Sequence, residues 1–173
     1  MTKYLELRRH TDNDGDELTA AGVAAAIEIG SRLTDGYEAI WSSGAQRATQ
    51  TAGCLLAGLG RHVQGGVIVE SGLRSQREDE WRAAYQVAGA GDLESLLRVA
   101  PDLVKEDAAV LSAALRSILD RLGKGGRALA IGHSPTNEAA VYGLTGLVVA
   151  PLGKGAGVLI LEDVNGFAVE PVA

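Results

Sequence analysis

Arg127–Leu144 reads RALAIGHSPTNEAAVYGL, and this stretch decides the class of fold. Arg127–Ile131 is a short apolar run of the kind that is buried on both faces in a parallel sheet. Gly132-His133-Ser134-Pro135 breaks it, and a helix is predicted from Thr136 to about Leu144. Outward from this unit the alternation recurs. Thr2–Arg8 suits a strand, Thr11–Glu17 a polar loop, and Thr19–Leu33 an Ala-rich helix with Val23, Ala26, Ile27, Gly30 and Leu33 on its apolar face. Asp35-Gly36 signals a turn before a strand over Glu38–Ser42, and Ala45–Leu59 keeps helical spacing. Val67–Glu70 reads as another strand. Ser71–Trp81 is dense in charge, with short helices predicted over Asp79–Val87 and Asp92–Val99. Pro101 separates these from a long helix, roughly Glu106–Leu122, and Gly157–Leu161 and Phe167–Val172 close the chain as strands. Strands alternating with helices imply an α/β domain with a mostly parallel sheet.

The composition fits one such domain. The chain has 173 residues, 46% hydrophobic and 22% charged, close to the globular average. One cysteine excludes an internal disulfide scaffold. A net charge of −6 argues against a general nucleic-acid binder, which needs a broad basic surface. The opening MTKYLELRRH lacks the apolar core of a secretory signal, and no run approaches a bilayer-spanning length, so a cytoplasmic protein without a membrane partner is expected. Nothing in the sequence speaks to oligomeric state.

Ligands of open α/β sheets bind at the carboxyl ends of the strands. Three predicted strand ends carry chemistry here: Arg8-Arg9-His10, Ser42-Ser43-Gly44 with Arg47 one turn on, and Gly132-His133-Ser134. Paired arginines after a strand are most often surface residues, and a lone histidine is most often structural. Three such ends together are a stronger pattern than any one. If the strands are neighbours, two imidazoles and at least two guanidiniums converge near helix N-termini, which favour anions. Guanidinium forks hold a tetrahedral phosphoryl group while an unprotonated imidazole attacks phosphorus.

Leu7-Arg8-Arg9-His10, Leu18-Thr19-Ala20-Ala21-Gly22, Ser42-Ser43-Gly44-Ala45-Gln46-Arg47-Ala48-Thr49-Gln50-Thr51-Ala52 and Gly132-His133-Ser134-Pro135 follow one another in an order and spacing that resembles the histidine phosphatase superfamily. This is the phosphoglycerate mutase-like group, and the short branch similar to phosphohistidine phosphatases looks closest. The resemblance implies a three-layer αβα domain over residues 1–173, with residues 71–107 as a small cap over the pocket. It implies that His10 is the nucleophile, forming a phosphohistidine that water hydrolyses. Arg9 and Arg47 match phosphate ligands, and His133 matches the second histidine of the pocket, which when protonated stabilises the transferring group. It implies neither metal nor cofactor, and a phosphorylated small molecule or phosphoprotein as substrate.

Two positions depart from that pattern. Arg-His-Gly is usual, and here Thr11 stands third, where its hydroxyl is a candidate phosphate ligand. Many members carry a proton-donating Glu in a Leu-x-Glu context, and here Leu73-Arg74-Ser75 puts Ser75 in that slot. Glu70, Glu78, Asp79 and Glu80 lie nearby, and Glu78 is taken first as the acid. A solvated charge cluster at a helix start is the competing reading. A missing acid favours phosphoramidates or activated monoesters, whose leaving groups are weakly basic. Two alternatives stand beside the phosphatase: a phosphate- or phosphopeptide-binding module without turnover, and mutase-type phosphoryl transfer.

The remaining signals are weaker. His62 reads as a surface residue, Trp41 as core, and Trp81 as core or pocket wall. Cys54 is expected to be buried and inert. Asn137 and Glu138 are expected either to contact substrate or to cap their helix. Gly123–Gly126 and Gly153–Gly157 are turns.

Overall fold

The computed structural model describes every residue except Asp35, so that half of the expected Asp35-Gly36 turn lies outside the described residues. The strands are β1 (Lys3–Arg9), β2 (Asn13–Asp14), β3 (Glu17–Leu18), β4 (Tyr37–Ser42), β5 (Val67–Val69), β6 (Arg127–Gly132), β7 (Gly157–Asp163) and β8 (Gly166–Val172). The helices are α1 (Ala20–Ser31), α2 (Gln46–Leu59), α3 (Glu78–Ala88), α4 (Leu93–Val99), α5 (Pro101–Arg121) and α6 (Thr136–Thr145).

Six strands form one sheet in the order β5-β4-β6-β1-β7-β8. β5, β4, β6 and β1 are parallel, and β7 and β8 add antiparallel to one side. The pleat sends alternate residues to two cores. Leu5, Leu7, Trp41, Ala130 and Ile160 pack on the layer of α3 to α6, while Ile40, Leu129 and Ile131 pack on α2, with α1 behind it. This is the mostly parallel three-layer α/β arrangement that the alternation implied.

Three local readings need correction. First, α5 begins at Pro101 rather than near Glu106, with Pro101 in its first turn. Proline suits that position, since its ring presets φ and the N–H it lacks would have no helical partner. Second, α1 buries only part of its expected face. Gly22, Ala26 and Gly30 are buried, whereas Val23 and Ile27 are 37% and 43% exposed. Third, the segment expected as a plain loop holds the β2–β3 hairpin, which reaches over to α2.

The register brings the three informative strand ends side by side. Ser42 of β4 stands opposite Ile131 of β6, and Arg9 of β1 opposite Gly132. The pairing continues past the strands, with His10 N–H donating to the Gly132 carbonyl (3.1 Å) and Ser43 N–H to that of Ile131 (3.1 Å).

Candidate active site

The loop after β6 is shaped by Asn137. Its Oδ1 accepts from His133 N–H (3.2 Å), and its Nδ2 donates to the Arg8 carbonyl (3.1 Å), tying the β6 end to the β1 end. A Cβ on Gly132 would lie 2.3 Å from that Oδ1, so glycine is required there. Asn137 is thus a buried cross-link rather than a substrate contact.

His10 and His133 meet across this junction with ring centroids 5.4 Å apart. His10 Nδ1 lies 2.8 Å from the Thr11 carbonyl oxygen. A carbonyl only accepts, so Nδ1 carries the proton and Nε2 keeps its lone pair. Burial, opposed by that hydrogen bond and helped by the charges of Arg47, Lys154 and Arg9, lowers the His10 pKa to about 4. His133 Nε2 pairs with Ser43 Oγ at 2.7 Å. Burial, then the Arg47 charge, hold His133 down to about 3. Both rings are therefore neutral at pH 7. Before a phosphoryl group binds, His133 is thus without the proton expected of it during transfer, because its surroundings are dry and already positive. A bound dianion would bring charge of the sign that raises it.

Two guanidiniums flank the rings. Arg9 Nη1 donates to the Leu152 carbonyl (3.0 Å), while its Nε is buried without a partner. Arg47 stands in the first turn of α2, whose N-cap, Ala45, makes no side-chain bond. Asp16 of the β2–β3 turn takes over, accepting from the Gln46 and Arg47 N–H groups (3.3 Å each) and from Arg47 Nη1 (2.8 Å). Arg8 is not part of the site. The pleat sends it to the opposite side, where Nε donates to buried Glu6 (2.6 Å) and Nη1 to the Gly155 and Ala173 carbonyls (2.8 Å each).

Thr11 is bound elsewhere. Its hydroxyl donates to the Gly22 carbonyl (2.8 Å) and its N–H to Thr51 Oγ1 (3.2 Å), so its only hydroxyl proton is spent within the protein. Its φ is not positive, so threonine here carries no backbone strain.

The acidic candidates separate. Glu70 caps the turn at Ser71–Leu73, while Asp79 and Glu80 pair with Arg82 and Arg77. Glu78 alone among them lines the cavity, of about 480 Å³, that also touches Arg47, His133, Trp81 and Tyr85. Arg74 donates to both of its oxygens (2.6 and 3.3 Å) and holds its carboxyl below the usual range against the cost of burial. Glu78 is therefore ionised at neutral pH, which corrects its expected role as a resting proton donor. Ser75, in the slot the resemblance gives to Glu, donates to buried Asp107.

Sequence reasoning missed Lys154, whose charge reaches His10 from the turn before β7. It also missed Ser43 as the partner of His133, and Asp107. His62 is exposed and Trp41 buried, as expected. Cys54 is only half-buried rather than buried, with burial raising its thiol pKa. Among the described residues no helix is long and apolar enough to cross a membrane.

The layering and strand order are those of phosphoglycerate mutase-like α/β proteins, and solved structures match along nearly the whole chain. A phosphoglycerate mutase from Bacillus anthracis str. Sterne aligns with a TM-score of 0.66 at 21% identity, covering 99% of this chain and 92% of that one. A phosphoserine phosphatase from Entamoeba histolytica gives 0.68 at 15%, covering 99% and 97%. The protein histidine phosphatase SixA complexed with tungstate gives 0.65 at 16%, covering 98% and 94%. No curated protein sequence matches the chain. Residues 2–152 match the model of the histidine phosphatase superfamily (branch 1), and the chain belongs to that superfamily.

Proposed function

We propose that the protein is a phosphatase that hydrolyses a phosphate monoester or phosphoramidate through a phosphohistidine on His10, without a metal. The observation that carries this reading is the His10 tautomer. The Thr11 carbonyl fixes the proton on Nδ1, and burial keeps the ring neutral, so Nε2 is a ready nucleophile at pH 7. Attack forms the Nε2–P bond as the bond to the leaving group breaks. Arg9, Arg47 and His133 stabilise the equatorial oxygens, where charge develops. Water then attacks phosphorus, the N–P electron pair returns to His10, and inorganic phosphate departs. Glu78, ionised beside the pocket, is suited to accept a proton from that water. Residues 71–107 serve as the cap, a role supported by Ser75, Glu78, Trp81 and Tyr85 on the cavity wall.

The test is hydrolysis of p-nitrophenyl phosphate in the presence of a chelator, together with acid-quench trapping of a phosphoenzyme. Both are expected in the wild type and lost in His10→Ala. Full activity in that variant would overturn the reading. Phosphate binding with no phosphoenzyme would identify a binding module instead.

A further inference from the structure

The cavity borders the phosphoryl pocket at Arg47 and His133, and two aromatic residues, Trp81 and Tyr85, are on its lining. Trp81 and Tyr85 are four residues apart on α3, so they present to one side of it. Trp81 is held in place: its Nε1–H donates to Asp107 Oδ2 (2.6 Å), the oxygen that also accepts from Ser75 Oγ–H (2.6 Å). Ser75 Oγ in turn accepts from Arg77 N–H (2.9 Å), and all three side chains of this network are buried. Tyr85 lies against Gly91, where a Cβ would come within 2.9 Å of its ring. The position given by resemblance to a proton donor is thus used to anchor an aromatic floor.

We propose that this aromatic wall is a ring-binding subsite, and that the substrates are phosphate monoesters whose leaving oxygen is attached directly to a flat aromatic ring. The proposal rests on the phosphatase reading above and deepens it. Flat rings stack on aromatic faces: Tyr85, 51% exposed, offers one, while Trp81, 4% exposed, borders the cavity with little open surface. The one carboxylate on the cavity lining, Glu78, is engaged by Arg74 through two hydrogen bonds. A leaving group that needs little help from an acid fits such a site. A phenol, with a pKa of about 10, leaves as an aryloxide far more readily than an alcohol leaves as an alkoxide. In the first step the P–O bond breaks with its electron pair going to the ring oxygen, as His10 Nε2 bonds to phosphorus. The aryloxide then takes a proton from water.

Four substrates separate ring recognition from leaving-group basicity: phenyl phosphate, benzyl phosphate, acetyl phosphate and glycerol 3-phosphate. The expected order has phenyl phosphate with a lower KM than acetyl phosphate, and benzyl phosphate binding well but turning over slowly. Tyr85→Ala raises the phenyl-to-acetyl KM ratio by roughly 2- to 12-fold, the worth of one aromatic contact. Ser75→Ala, which removes one of the two hydrogen bonds that hold Asp107 Oδ2 beneath Trp81, raises the same ratio. Phenol alone quenches tryptophan fluorescence in the wild type and less in Tyr85→Ala. Equal KM for phenyl and acetyl phosphate, with no change of the ratio in either variant, overturns the subsite. If no compound labels His10 while phenol still quenches, the phosphatase reading fails and the ring site stands.

Discussion

The rings of His10 and His133 lie 5.4 Å apart, tilted by 58°, and both are neutral. A pair of protonated imidazoles at this distance, next to Arg9 and Arg47, would repel strongly. Dryness resolves the conflict by keeping the protons off. This has a consequence for stability. The folded values, about 4 and about 3, lie below the unfolded 6.5, so the unfolded state binds more protons in between. Stability is full above pH 6.5 and is lost as pH falls toward 4 for His10 and toward 3 for His133. The slope is about 1.4 kcal/mol per pH unit for each ring. Urea midpoints between pH 7 and 4 test it, and His133→Gln flattens the slope.

On the proposed mechanism, the same pKa sets the acid limb of catalysis. The value in the free protein governs kcat/KM. With the substrate's own ionisation divided out, kcat/KM holds level down to about pH 4 and falls below it as His10 Nε2 is protonated. A limb near 6.5 would mean that His10 is solvated in solution.

Arg47 is gripped from behind by Asp16 while its charge reaches both rings. A planar fork is what binds a phosphoryl group through two oxygens, and an ammonium lacks it. Arg47→Lys should therefore lower kcat/KM by roughly tenfold or more, the worth of a charge-assisted bond. Asp16→Ala removes both the grip and the acceptor at the α2 start, with a smaller loss of activity and about 1 kcal/mol of stability. Steady-state kinetics and melting curves on the two variants separate the roles.

The strand ends were legible because chemistry-bearing residues stood where an α/β sheet displays them. Helix α1 was misread for a physical reason. Apolar periodicity finds faces that bury large side chains, whereas α1 docks by backbone approach: a Cβ on Gly30 would lie 2.3 Å from the Leu55 carbonyl oxygen. The small residues face inward and Val23 and Ile27 point out. Asp107 was invisible for another reason. With the helix started at Glu106, the stripe Leu103, Val104, Asp107, Ala108, Leu111 is cut, and nothing marks the acid as part of a buried stripe. Its partners, Ser75 and Trp81, lie 32 and 26 residues away, a pairing set by tertiary packing.

Thr11 provides a test of whether a residue beside the proposed nucleophile binds phosphate or holds the frame. Its hydroxyl donates to the Gly22 carbonyl, which joins the His10 loop to α1. Thr11→Val keeps the shape and removes that donor, leaving a carbonyl without its partner. A loss of about 1–3 kcal/mol in stability is expected. The KM for acetyl phosphate should stay within about twofold, since no phosphate contact is lost. A large rise in KM at unchanged stability would restore the hydroxyl to the phosphate site.

Glu138 is 1% exposed, and one of its oxygens does all the work: Oε1 accepts from Ser134 Oγ–H (2.7 Å) and Leu152 N–H (2.7 Å), while Oε2 has no partner. Leu152 also offers its carbonyl to Arg9, so Glu138 sets the position of that guanidinium through one residue of backbone. Burial raises the Glu138 pKa, outweighing the bonds from Ser134 and Leu152. A folded value above the unfolded one means stability that is full at low pH and is lost as pH rises through the folded value. Glu138→Gln supplies the same accepting oxygen with no charge to bury. It should match the wild type at about pH 4, below the ordinary Glu value, exceed it at pH 8, and keep kcat. Glu138→Ala leaves the buried Leu152 N–H and the half-buried Ser134 hydroxyl unpaired, costs about 2–5 kcal/mol, and loosens Arg9, so KM for acetyl phosphate rises. Melting curves at the two pH values decide the matter, and a Gln variant less stable at pH 8 would show that the charge itself is needed.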